Sequence, residues 1–96
     1  MPGAPADFPK IMPIERVERI IFEFELIRVV IRAPADTYVK SYYFERRAPS
    51  YMTVMGWIAS RIRPVVGDLE FVVLDGYSRI PPRLMTLDTL RKTYER

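Results

Sequence analysis

Asparagine, glutamine, histidine and cysteine are all absent from the 96-residue chain. Asn, Gln and Cys deamidate or oxidise, and hyperthermophile proteins tend to shed them while charged residues and loop prolines rise. With 28% charged residues and nine prolines, the composition points to a thermophile. GC-rich coding accounts for the excess of Arg over Lys, twelve against three. It accounts less well for the missing Gln and His.

The same absences narrow the chemistry. Without His there is no ready general base near neutral pH and no imidazole metal ligand. Without Cys there is no thiolate nucleophile, disulfide or zinc–thiolate site. Carboxylates, tyrosines, lysines and arginines remain, and their spacing assembles no nucleophile, base and orienter. The expectation is a non-enzymatic protein with no catalytic residue, metal or cofactor.

Length bounds the fold to one domain that buries ~60–65% of its unfolded surface. The formal charge of +3 and pI near 9.4 permit nucleic-acid binding without requiring it. The longest apolar run, 20–31, is broken by Glu23, Glu25 and Arg28, so no membrane span is expected, and the start of the chain has no signal-peptide core. The expected compartment is the cytoplasm.

Residues 1–13 carry Pro2, Pro5, Pro9 and Pro13 with little apolar periodicity, which predicts a flexible lead-in on which Phe8 and Ile11 are the apolar docking points. Residues 14–96 are expected to form a single α+β domain. From 17 to 33 the chain is β-branched and aromatic, and Phe22-Glu23-Phe24-Glu25-Leu26 alternates as a half-buried strand does. Inward parity changes after Leu26, which calls for a β-bulge near Leu26 or Ile27 or for burial on both faces. Ala33-Pro34-Ala35-Asp36 has turn chemistry. A second strand over 37–46 would complete a long hairpin.

Ser50 is the expected N-cap of a helix running to about Arg63, with Pro64 as its stop. Tyr51, Val54, Met55, Ile58 and Ile62 fall on its apolar face, and Trp57 sits at the flank one turn before Arg61, within reach of a cation–π contact. Residues 69–74 form a strand, Asp75-Gly76 the strongest hairpin turn in the chain, and 77–80 its return. Thr86 caps a short final helix through Leu87 and Leu90. The predicted architecture is one small mixed or antiparallel sheet with one main helix, in the order β-β-α-β-β plus a short C-terminal helix.

That order resembles the ubiquitin-like β-grasp fold, with 71–76 matching its strand and tight Gly turn and Thr86-Leu87-Asp88-Thr89-Leu90 its short helical turn. The resemblance covers about residues 20–90 and is one of element order. A β-grasp chain ends in a strand laid beside its first, and this sequence ends at Thr93-Tyr94-Glu95-Arg96 without one; the free Gly-Gly tail of conjugated modifiers is also missing. The resemblance therefore implies a non-conjugated interaction module with a place for an added strand, or else an α+β fold of two strand-strand-helix units.

Two surfaces carry candidate sites. Trp57, Arg61 and Arg63 have the residue types that dominate protein interfaces, and a Trp57 ring lying flat over the domain's own edge explains them equally well. On the interface reading Trp57→Ala is expected to weaken binding while the fold stays cooperative, and on the other to collapse the thermal transition. Tyr42, Tyr43, Phe44, Arg46 and Arg47 interleave rings and guanidinium groups as nucleic-acid-binding sheets do, although core-facing rings and solvated arginines explain the pattern better. Glu23 and Glu25 read as a solvated ion-pairing face. The preferred function is a protein-interaction module, an accessory or adaptor subunit docking through Trp57, Arg61, Arg63, Tyr42, Arg46 and Arg47 on a larger protein assembly or filament, or on a second copy as a homodimer. The alternative, a small basic nucleic-acid-binding protein, requires Lys40, Arg46, Arg47, Arg61 and Arg63 to converge on one face.

Overall fold

The structure, a computed structural model, describes residues 8–95. Its class is α+β, and its strands form two separate two-stranded antiparallel sheets rather than one. Strand β1 (Ile11–Pro13) pairs with β3 (Tyr38–Lys40), and β2 (Arg28–Arg32) pairs with β4 (Glu70–Leu74). The first seven residues of the expected lead-in lie outside the described residues. The rest of it is ordered: the Phe8 ring lies 4.9 Å from that of Tyr43, and Met12 is buried.

The largest correction falls on 14–25, which is a helix, α1 (Ile14–Glu25), and not a strand. Ile14, Val17, Ile21 and Glu25 recur at helical spacing and are all buried, while Glu15, Arg16, Arg19 and Glu23 face water. The Phe22 to Leu26 alternation is real but short, and the longer 3.6-residue period prevails. Leu26 ends the helix in the left-handed conformation at φ 62°, its amide donating to the Phe22 carbonyl at 2.9 Å, a C-terminal geometry usually given to Gly or Asn. This reversal, rather than a bulge, resets the inward parity between Phe24 and Ile27.

The expected first hairpin does not form. β3 pairs instead with β1, Ile14 N donating to Thr37 O and Ser41 N to Lys10 O, each at 3.0 Å. Beyond Lys40 the chain leaves the sheet, and its next residues turn inward at Tyr42.

The central helix begins later and ends later than predicted. Thr53, not Ser50, is the N-cap, its Oγ1 accepting from Gly56 N at 3.1 Å. The helical stretch then runs as α2 (Val54–Trp57), a π-helical turn over Ile58–Ile62, and α3 (Arg63–Val66). Pro64 does not stop it. A proline would clash with the carbonyl four residues back in a regular α-helix, and the wider π turn just before it makes room. Gly67 ends the helix at φ 61° and ψ −128°, a region nearly closed to residues with a Cβ. Tyr51, expected on the apolar face, precedes the helix and is exposed.

Asp75-Gly76 does turn the chain, but no return strand follows among the described residues. Asp75 Oδ1 accepts from Tyr77 N at 2.8 Å and Arg79 N at 2.9 Å, closing a loop in which Ser78, and not Gly76, has positive φ. Helix α4 (Leu87–Lys92) starts as predicted, with Thr86 Oγ1 accepting from Thr89 N and with Leu87 and Leu90 buried. Bonds from Val54 N to Met85 O and from Leu87 N to Met52 O join its approach to the central helix. No helix among the described residues is long and apolar enough to cross a membrane.

Candidate interaction surface

Three of the six residues singled out from the sequence, Trp57, Tyr42 and Arg61, meet around a buried carboxylate instead of on a surface, while Arg46 and Arg47 stay exposed beside it. Glu25, at the end of α1, is fully buried. Its Oε1 accepts from Ala48 N at 2.9 Å and from Arg91 at 3.0 Å; its Oε2 accepts from Arg61 at 2.9 Å, from Trp57 Nε1 at 3.4 Å and from the Tyr42 hydroxyl. Arg61 donates as well to the Arg46 carbonyl, and Arg47 Nε to the Phe24 carbonyl, each at 2.8 Å. Arg91 adds bonds to the carbonyls of Glu25 and Ala48. Among the described residues no buried side-chain nitrogen or oxygen lacks a partner, the condition under which a buried charge is tolerated.

This knot places Trp57 and Tyr42 in the core, the inward one of the two readings open to each. Both are almost wholly buried, because a carboxylate within reach satisfies the indole N–H and the phenol O–H that would otherwise keep such rings at the surface. Arg61 stacks over Phe44, 4.1 Å from the ring centroid, and not over Trp57. Burial, reinforced by the bond to Glu25, pushes the Tyr42 hydroxyl far above the ordinary phenol range; burial lowers Arg91, against the pull of Glu25. Arg63 stands apart, donating to Gly67 O at 2.7 Å and lying over the Phe71 ring. The Glu25 carboxylate is sealed from water and both its oxygens are occupied, so the knot holds four parts of the chain together and offers no carboxylate oxygen to a ligand.

Glu25 and Arg91 had no sequence signal as a pair. Once 14–25 is read as a helix, however, Glu25 falls on the Ile14, Val17, Ile21 stripe and Glu23 does not; an acid on an apolar stripe is itself the signal of a buried partner.

What the fold leaves without a strand neighbour is one edge of β2, which lies alongside α1. Among the described residues β2 has one strand neighbour, β4. The amide of Ile31 points away from that neighbour and donates to Glu18 Oε2 at 2.7 Å. Backbone groups alternate along a strand, so the Val29 N–H and C=O face the same edge, where Val29 and Ile31 are both buried beside α1 and an incoming strand must displace side chains of that helix. Arg28 N points the other way, donating to the Tyr94 hydroxyl at 2.9 Å, which in turn donates to Leu74 O. A tyrosine hydroxyl thus serves as the last rung between β2 and β4.

Beside the open edge lies a groove of about 500 Å³, lined by Glu18, Arg19 and Phe22 of α1 and by Arg28, Val29 and Val30 of β2. Phe22 is 45% exposed and is steadied by an edge-to-face contact with Tyr94, the ring centroids 6.0 Å apart. The outer side of β4 is less open, since Ile80 and Pro81 flank it across a cavity of about 290 Å³. The sequence carried one overlooked sign of the edge: Arg-Val-Val-Ile-Arg is a short strand with a cation at each end, a common guard on edge strands. No family model, curated protein or solved structure matches the chain.

Proposed function

We propose that the protein is a non-enzymatic interaction module, an accessory subunit of a larger assembly, that docks by taking an extended segment of a protein partner along the free edge of β2. The observation that carries this reading is the Ile31 amide held by Glu18: a side-chain carboxylate occupies the acceptor position that a neighbouring strand's carbonyl would fill. Strand addition draws affinity from such main-chain groups and selectivity from side chains beside them, and Phe22 and Val30 supply the apolar contact here.

In fold terms the proposal keeps the β-grasp likeness for 71–76 and the Thr86 helical turn, and assigns to the partner a strand laid beside β2. Trp57 and Tyr42 act as the rigid base of this platform instead of as anchors. The nucleic-acid reading is weaker because three of the five cations it needs on one face, Arg47, Arg61 and Arg63, are each engaged by carbonyls or Glu25.

Selection of random extended peptides on the immobilised protein tests the proposal. Selected peptides are expected to compete with one another, to slow exchange of the Val29 amide, and to bind about tenfold more weakly to Phe22→Ser. Peptides that leave the Val29 and Ile31 signals unmoved would place docking elsewhere and end this reading.

A further inference from the structure

We infer, resting on the docking proposal, that the segment taken by β2 is acidic at two positions four residues apart with an apolar residue midway, and that the same arginines bar β2 from pairing with a second copy of itself. Arg28, Val30 and Arg32 share the face of β2 opposite to buried Val29 and Ile31. Both arginines are exposed, and among the described residues neither forms an ion pair. Arg32 faces Glu70 across the sheet without forming a salt bridge, while Arg28 faces apolar Leu74. Arg19 adds a third cation at the groove. The Glu18 carboxylate is already committed to Ile31.

An added antiparallel strand sets its residues directly opposite those of β2, with side chains on matching faces. The positions opposite Arg28 and Arg32 are then ~13 Å apart, at ~3.3 Å per residue. Carboxylates there meet guanidinium groups that lack a carboxylate partner, and an apolar residue between them meets Val30 and Phe22. The alternating acid–x–apolar–x–acid pattern fits both the charge and the pleat.

A second copy presents the opposite case. Arg-Val-Val-Ile-Arg is nearly palindromic, so antiparallel pairing of two β2 edges through Val29 and Ile31 sets Arg28 of each copy opposite Arg32 of the other. Like charges directly opposite are destabilising, and two such pairs arise at once. The edge is thus closed to its own kind and open to an acidic strand.

The test uses the full chain and two synthetic heptapeptides. One has valine at its centre, glutamate two residues to either side and threonine elsewhere; the other has lysine in place of glutamate. The glutamate peptide is expected to shift the Val29 and Ile31 amide signals and to bind about tenfold more tightly, a margin that narrows as salt rises. Equal binding, or tighter binding of the lysine peptide, would overturn the acidic preference while leaving edge docking intact. If neither peptide moves those amides, edge docking itself fails. Arg28→Glu tests the self-exclusion: it sets glutamate opposite Arg32 in a symmetric pair, so sedimentation should detect a dimer absent from the parent chain. A variant that stays monomeric with its fold intact would overturn that half.

Discussion

The carboxylate of Glu25 and the guanidinium of Arg91, 66 positions apart in the chain, meet at 3.0 Å with the carboxylate sealed from solvent. With Arg61 on the other oxygen, the contact ties the end of α1, the loop at Ala48, the π turn and α4 to one atom group. Removing one member of such a set leaves the others buried without compensation, typically a loss of ~3–5 kcal/mol. Glu25→Ala is expected to lose stability of that order in urea denaturation, and to do so cooperatively. A loss below ~1 kcal/mol would mean that the knot relaxes or fills with water.

Trp57→Ala is a core lesion in this fold and is expected to cost ~3–5 kcal/mol. Trp57→Phe should cost less, since it keeps most of the apolar volume and gives up the bonds to Glu25 and the Tyr42 hydroxyl. Because the ring lies far inside, emission of the parent protein should be blue-shifted and poorly quenched by iodide. Ready quenching in the folded state would contradict its burial.

Elements with strong local determinants were legible in the sequence: the 69–74 strand, the Thr86 cap with Leu87 and Leu90, and the turn at Asp75. The misreadings share a cause. In 17–33 a five-residue alternation masked a helical period that began earlier, at Ile14, and the polar member of that stripe, Glu25, looked solvated because its partners lie in loops and helices remote in sequence. Arg61, Trp57 and Tyr42 drew notice by residue type and turn out to point inward, since residue type and spacing do not distinguish a guanidinium aimed inward from one aimed at a partner. Gly76 was placed in a turn for its conformational freedom, whereas its φ is not positive and close approach is what requires it.

Alkaline pH should destabilise the fold through the buried phenol of Tyr42 and the half-buried phenol of Tyr94. Burial and Glu25 raise the Tyr42 hydroxyl, and burial raises that of Tyr94, above the free-phenol value of 10.0. The native state therefore holds protons that the unfolded chain releases. Their contribution is complete below about pH 10 and is lost as pH climbs above it. The thermal midpoint should fall steeply beyond that point, and Tyr42→Phe, although less stable at neutral pH, should show a shallower alkaline slope. Equal slopes in the two proteins would remove Tyr42 from the account.

Gly76 lies against the C-terminal end of α4. A Cβ there would collide with the Thr93 carbonyl and stand 2.8 Å from Tyr94 N, while the Gly76 amide donates to Thr93 Oγ1 at 2.7 Å. Gly76→Ala must push this turn away and pull the Tyr94 hydroxyl from its place between Arg28 and Leu74. A loss of ~1–3 kcal/mol is expected, together with Tyr94 ionising closer to the free-phenol value in a spectrophotometric titration. Unchanged stability would show that the helix end shifts without strain.

Glu18 both guards the docking edge and competes for it. Its carboxylate must leave the Ile31 amide before an incoming carbonyl can bond there, so binding exchanges one acceptor for another at that rung. Glu18→Ala removes the competitor while leaving the α1 core stripe untouched: Ile31 amide exchange should quicken in the free protein, and edge-binding peptides should gain about fivefold in affinity, within the range of a single hydrogen bond. Glu18→Gln retains an acceptor and should behave much like the parent. If Glu18→Ala instead weakens binding at an intact fold, the carboxylate is a contact for the partner rather than a placeholder, and the edge would be recognised from its helix side.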